Sequence, residues 1–265
     1  MTSSPIASSP MASTTVADQV ERVLKPIQQF VRGWMTGPMA DQLAADLGLQ
    51  SGSDLWIVGR AGVLGDCDAD VAAAGLAFLA PDRVRAAWES LPSGLTPRGV
   101  ADAYTGLCCA WGSTELARFD GARMARLDEL GRRIAEAADG SIGTVFAGWR
   151  AQPEPDDVNA RVALTMHVLR ELRGGAHIIA ILACGLTPLG AVLASPAPPP
   201  RSGPVWAEHL GWSGPFGNAD ASREARMEAE RLTSRILRPI YGSIGDDELA
   251  EFAELVETTR NAIDM

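Results

Sequence analysis

Residues 169–196 read LRELRGGAHIIAILACGLTPLGAVLASP, and this stretch decides the fold class. Apolar segments with helical spacing flank the turn Gly185-Leu186, which is the outline of a helix-turn-helix. We predict that the Gly-Gly pair at 174–175 breaks the first helix. The Thr-Pro pair at 187–188 then opens the next helix as N-cap and first-turn proline. This outline raises the question of whether the chain reads DNA.

Helical periodicity recurs along the rest of the chain. Apolar residues between Val20 and Trp34 return every three or four positions, and a second helix-turn-helix outline spans residues 39–63. Pro81 interrupts the helical pattern of residues 70–91, so it marks a kink or two abutting helices. No segment has the alternation of a convincing strand, with at most a vestigial hairpin near residues 211–218. We therefore predict an all-α protein.

The organisation predicted from these patterns is two helix-turn-helix-like halves, residues 17–152 and 153–265, packed together as one unit. A disordered leader rich in Ser, Thr, Pro and Ala precedes them at residues 1–16. GPMADQLAADLGL from Gly37 resembles GGAHIIAILACGL from Gly174, and GSIG occurs at 140–143 and 242–245. These short matches leave an internal duplication open. The cleft between two such halves is the default ligand site.

Charge argues against DNA binding. The chain has 33 acidic and 23 basic residues and a formal charge of −10, so phosphate backbones meet a repulsive field. A recognition helix needs exposed Arg, Lys, Asn or Gln side chains. The segment at residues 54–66, DLWIVGRAGVLGD, offers only Arg60, and TPLGAVLAS at 187–195 offers no charge. We predict no nucleic-acid partner.

Other motifs of common function classes are missing from the sequence. Four cysteines lack C-x-x-C spacing and three histidines lack H-E-x-x-H, so we predict no metal site and no disulfide framework. No glycine-rich nucleotide motif follows a strand, so no cofactor is predicted. No apolar run reaches the roughly 18 to 20 residues that span a bilayer, so we expect a cytoplasmic protein without a membrane partner. A homodimer is left open.

Three charged residues are the candidate catalytic group. His177 follows the predicted Gly-Gly break, where a helix N-terminus binds anions and lowers an imidazole pKa. Arg170 and Arg173 lie one turn earlier and could fork onto a carboxylate or enolate oxygen. The alternative is structural: Arg173 pairs with Glu171 or Asp157, and His177 simply caps its helix.

The candidate ligand-binding group combines one buried charge with aromatic side chains. Arg60 lies on an otherwise apolar helix and needs a partner or a ligand, although Asp66 or Asp68 could serve as that partner. Seven of the 15 aromatic residues are tryptophans, and some could line a pocket for a flat or apolar molecule although most are expected in the core. The candidates are Arg60, Trp56, Trp34, Trp88, Tyr104 and Trp111.

Several of these segments together resemble a known family. LRELRGGAHIIAI resembles the L-R-E-H-R-G-D-G-H-V-A-A-L segment of an actinobacterial helix-turn-helix family, VGRAGVLGD resembles its A-G-R-A-A-P-L-G segment and LAFLAPDRV its F-N-F-A-P-x-x-V segment. The resemblance runs from about Leu24 to Ile263 and implies an all-helical, winged-helix-derived scaffold with no common activity. The motif members retained are Arg60, Pro81, Arg170, Glu171, Arg173, Gly174, His177 and Trp212. Leu172 and Gly175 stand where the family has His and Asp, and the segment from Trp212 to Leu237 is shorter.

Three functions follow as hypotheses. The first is a protein that binds an apolar or aromatic small molecule in the cleft between its halves. The second is a cofactor-independent enzyme of specialised metabolism, a cyclase or isomerase, in which the charged corner stabilises developing negative charge. The third is a transcription regulator, against which the acidic charge and the bare recognition helices weigh. Whether binding is coupled to turnover is left open by the sequence.

Overall fold

Helix formation follows local signals that the sequence carries. A computed structural model describes residues 15–198 and 200–263, and all regular structure within them is helical, which confirms the all-α class. Thr15, Ser51 and Thr96 each cap a helix by accepting a hydrogen bond from the backbone N–H three residues later. The helices are α1 (Val16–Phe30), α2 (Arg32–Met35), α3 (Pro38–Asp46), α4 (Gly52–Ala61), α5 (Ala69–Leu76), α6 (Pro81–Glu89), α7 (Pro97–Glu115), α8 (Gly121–Ala137), α9 (Thr144–Arg150), α10 (Val158–Ala183), α11 (Pro188–Leu193), α12 (Gly203–His209), α13 (Arg223–Tyr241) and α14 (Asp246–Ile263).

Helix α10 is the centre of the packing. It contacts α7, α8, α9 and α13, while α1 packs on α14 and α13 and so brings early and late parts of the chain together. The main buried cluster includes residues from Val20 to Val256 and takes in both predicted halves. Each large apolar side chain buried there contributes roughly 1.5 to 3 kcal/mol. This core holds α10 in place among the helices that it contacts.

The predicted break at Gly174-Gly175 is wrong, because α10 runs through both glycines. A Cβ at Gly175 would lie 2.5 Å from the Ile142 carbonyl oxygen and 3.2 Å from the Gly143 Cα. This glycine therefore serves close backbone approach, and the packing gained offsets the roughly 1 kcal/mol that glycine costs inside a helix. His177 consequently lies within the helix, not at an N-terminus.

The segment around Pro81 forms two abutting helices, α5 and α6. Between them Ala77 has a φ of +30°, a conformation that L-residues rarely adopt. Pro81 is the first residue of α6, where its missing N–H costs nothing. The strained residue precedes Phe78, whose ring lies at the candidate site described below.

Both predicted helix-turn-helix outlines are present as helical pairs. Gly48 follows α3 with a φ of +71° and Gly185 follows α10 with a φ of +72°, so each turn uses a left-handed glycine. Both GSIG segments begin with a 3₁₀ turn, Gly140–Ile142 and Gly242–Ile244, and the duplication stays a prediction. In the described part of the chain, no strand occurs near 211–218. The predicted leader falls outside the described residues, except that Thr15 caps α1 and Val16 begins it.

Candidate functional site

The candidate catalytic residues all lie on α10, but the structure divides them between two buried ionic clusters. Arg170 joins Arg60 around Glu171, whereas Arg173 and His177 face α13. The single oxyanion corner expected from the sequence is therefore not formed. Each cluster contains two arginines, one glutamate and one histidine.

The first group, the Glu171 cluster, consists of Arg60, His167, Arg170 and Glu171. The Arg60 guanidinium holds the Glu171 carboxylate with two bonds, Nε to Oε1 and Nη2 to Oε2, both 3.0 Å long. Arg170 contacts the same carboxylate. Burial alone would raise the pKa of Glu171, but Arg170 and Arg60 hold it well below its ordinary range. Asp66 and Asp68, the alternative partners considered for Arg60, are wrong, because the Arg60 side chain is buried and pairs with Glu171.

His167 places an imidazole among aromatic rings beside this cluster. Its ring centroid lies 4.1 Å from Trp149 and 5.0 Å from Trp34, in edge-on arrangements. Its Nε2 is 3.5 Å from Glu171 Oε1, but neither ring nitrogen has a hydrogen-bond partner in the described residues. Burial lowers the pKa of His167 to about 3, so the imidazole is neutral at neutral pH.

The second group, the Glu230 cluster, consists of Arg173, His177, Arg226 and Glu230. Arg173 Nη2 lies 2.9 Å from Glu230 Oε2, and Arg226 Nη1 lies 2.6 Å from Oε1. The alternatives Glu171 and Asp157 for Arg173 are wrong, because Arg173 faces α13. Burial alone would raise the pKa of Glu230, but Arg173 and the neighbouring cations lower it.

Hydrogen bonding determines the tautomer of His177. The Thr233 hydroxyl donates to the Ala229 carbonyl at 2.7 Å, so it accepts from His177 Nδ1 at 2.8 Å. The proton therefore sits on Nδ1, and Nε2 carries a lone pair, 4.0 Å from Glu230 Oε1. Burial lowers the pKa of His177 to about 3, with Arg173 adding to the effect. The Phe78 ring stacks on the imidazole at 5.5 Å.

An open cavity of about 180 Å³ lies between α8, α9 and α10. Its lining draws on both sides of the predicted boundary at residue 152. The apolar lining residues are Ala135, Trp149, Pro155, Leu164 and Val168, and the polar ones are Asp128, Arg132, Glu136, Arg150, Gln152, Glu154, Arg161 and Thr165. Trp149 also contacts His167 and donates from Nε1 to the Arg60 carbonyl at 3.0 Å, so one indole joins the cavity to the Glu171 cluster.

The candidate ligand-binding tryptophans do not surround this cavity. Trp34 packs on Tyr104 at 4.7 Å, Trp88 donates to the Cys67 carbonyl, and Trp111 packs edge-on against Phe30 at 5.5 Å. Trp56 lies 5.3 Å beneath the Arg60 guanidinium carbon. Trp34, Trp88 and Trp111 are buried, whereas Trp56 is only partly buried and packs against the core. Tyr104 donates its hydroxyl proton to the Met35 carbonyl at 3.2 Å.

Several residues of the site were not predicted from the sequence. His167 lies four residues before Glu171, a spacing that signals a shared helix face. No signal in the sequence marks Glu230, because only the packing of α13 on α10 brings it to the site. Among the described residues no group of histidine, cysteine or carboxylate side chains could hold a metal ion, and the four cysteines are unpaired.

The fold and the two clusters define an all-helical protein whose central helix, α10, carries charged residues of both clusters. The chain belongs to the helix-turn-helix family, which it matches over residues 17–264. No curated protein and no solved structure matches it. Within the described residues, no helix is both long and apolar enough to cross a membrane.

Proposed function

We propose that the protein binds an uncharged small molecule with an apolar or aromatic body in the cavity between α8, α9 and α10. The observation that carries this proposal is a cavity whose apolar wall is backed by a tryptophan. A volume of about 180 Å³ is of the size that accommodates a molecule with one or two rings. Concave sites that combine apolar surface with polar groups are where small molecules bind.

The charges around the cavity favour an uncharged ligand. Three arginines and three carboxylates line it, so their formal charges cancel. Arg161 already pairs with Asp128 at 3.0 Å, and Arg132 with Glu154 at 3.2 Å. A charged ligand would have to break such pairs, whereas an uncharged one leaves them intact.

The accessibility of the helix-turn-helix segments supports a partner other than DNA. Most residues of α4 are buried, and its basic residue, Arg60, is paired with Glu171. Helix α11 has six residues and no charged side chain. Base reading needs exposed Arg, Lys, Asn or Gln side chains, and neither helix presents one. In a gel-shift assay with mixed-sequence duplex DNA at low salt, we expect no shift, and a salt-sensitive shift would contradict this part of the proposal.

The cavity is tested with 5-fluoroindole as an uncharged probe followed by ¹⁹F NMR. The wild-type chain should broaden the probe signal, and Ala135→Leu should abolish broadening because the larger side chain enters the cavity. Ala122→Leu is the matched control, since Ala122 lies on the same helix with an exposed side chain. Circular dichroism checks that each variant is folded. Equal broadening by folded wild-type and A135L proteins would refute the proposed site.

Native mass spectrometry of the freshly purified protein addresses the ligand itself. A mass that the folded protein carries and the denatured protein lacks would identify the chemical class of a bound molecule. An adduct with a net charge would contradict an uncharged ligand. A released molecule can then be assayed for conversion, which separates a carrier from a cyclase or isomerase.

A further inference from the structure

Three buried donors at the interface of α10 and α13 have no hydrogen-bond partner in the described residues: Arg173 Nε, Arg226 Nη1 and the Tyr241 hydroxyl. Arg226 Nη1 still forms an ion pair with Glu230 Oε1 at 2.6 Å, which leaves Arg173 Nε and the Tyr241 hydroxyl. Tyr241 is fully buried, and burial raises the pKa of its hydroxyl, while the charge of Arg173 opposes this rise. Leaving a buried donor unpaired costs roughly 1 to 3 kcal/mol, so such groups in a folded protein point to a water, an ion or a ligand.

The net charge of the Glu230 cluster indicates whether the missing partner is a water, an ion or a ligand. Two arginines face one carboxylate, and His177 is neutral, so the cluster holds one surplus positive charge. A buried surplus charge is costly unless a counter-ion balances it. The cluster also reaches solvent, since the Arg173 side chain is 18% exposed and that of Glu230 is 30% exposed.

We propose that Arg173 and Tyr241 bind a small oxyanion, the carboxylate or phosphate group of a ligand, between α10 and α13. The oxyanion oxygens would accept from Arg173 Nε and from the Tyr241 hydroxyl, and its charge would balance the cluster. Charge-assisted hydrogen bonds of this kind are the strong ones in proteins. His177 takes no part as a donor, because its Nδ1 proton is committed to Thr233.

This site is separate from the cavity proposed above. It lies on the side of α10 that faces α13, whereas the cavity lies against α8 and α9. A failure of one proposal therefore leaves the other standing, because the probes and the variants are different.

The chain contains two tyrosines, both fully buried, and they form a matched pair for the test. Tyr241→Phe removes a hydroxyl that has no partner among the described residues, whereas Tyr104→Phe removes one that donates to Met35. Isothermal titration calorimetry with inorganic phosphate and with acetate, at constant ionic strength, measures binding to each variant. The two titrants distinguish a phosphate from a carboxylate group.

The expected result is binding of at least one oxyanion by the wild type and by Y104F, about fivefold weaker in Y241F and lost in Arg173→Gln. Thermal unfolding without anion should show Y241F at least as stable as the wild type. Absence of binding to either anion at millimolar concentrations would overturn the proposal. So would equal binding by Y241F, or a lower melting temperature of Y241F without anion, since the hydroxyl would then have a partner inside the fold.

Discussion

Acidification from about pH 7.5 to about pH 5 should destabilise the fold, because two buried histidines are neutral in it. Burial lowers the pKa of both His167 and His177 to about 3, from an ordinary value of 6.5. Both folded-state values lie below the unfolded ones, so the unfolded chain binds more protons between about pH 3 and pH 6.5. Stability therefore rises with pH through this window.

The magnitude follows from the same two values. At about pH 5 each unfolded histidine is protonated and contributes RT ln(1 + 10^1.5), about 2 kcal/mol, to the unfolded state. The two together remove about 4 kcal/mol, a large part of the 5 to 15 kcal/mol that stabilises a typical domain. Near pH 5 the unfolding reaction takes up about two protons.

Urea denaturation followed by far-UV circular dichroism at several pH values measures this slope. His167→Gln and His177→Gln should each remove about one proton from the uptake, and the double variant should remove both. A wild-type protein equally stable at pH 5 and pH 7.5 would refute the reasoning. An unchanged slope in the double variant would assign the effect to other groups.

Three further predictions concern stability. Glu171→Gln leaves two arginines without their carboxylate, so it should lower the free energy of unfolding by about 3 to 5 kcal/mol. Urea denaturation measures this loss, and a loss below about 1 kcal/mol would show that the cluster is well solvated. Ala77→Gly relieves the positive φ and should raise stability by about 1 kcal/mol, measured as a higher melting temperature; a lower one would contradict the strain. Gly175→Ala should destabilise by roughly 1 to 3 kcal/mol, because its Cβ would press on the Ile142 carbonyl. Gly174→Ala is the control that should not, because a Cβ there would meet only Glu171 Oε2 at 3.6 Å, an ordinary van der Waals contact.

The local sequence determined the helical class and many of the helix ends and turns. Caps such as Thr15, and glycines such as Gly48 and Gly185, act through neighbouring backbone groups, so their effect can be read from adjacent residues. The break predicted at Gly174-Gly175 is wrong because the contact that decides it is not local. The neighbour of Gly175 is the 3₁₀ turn at Gly140–Ile142, which is distant in sequence.

Only the tertiary structure decided which charges meet. Arg60 and Glu171 are 111 residues apart, and Arg173 and Glu230 are 57 apart, so no local spacing could pair them. The choice depends on which helices the apolar faces of α10 bury, and that is settled by the packing of the whole core. The sequence thus determined that α10 is rich in arginine and histidine, while the fold determined that these residues form two separate buried clusters.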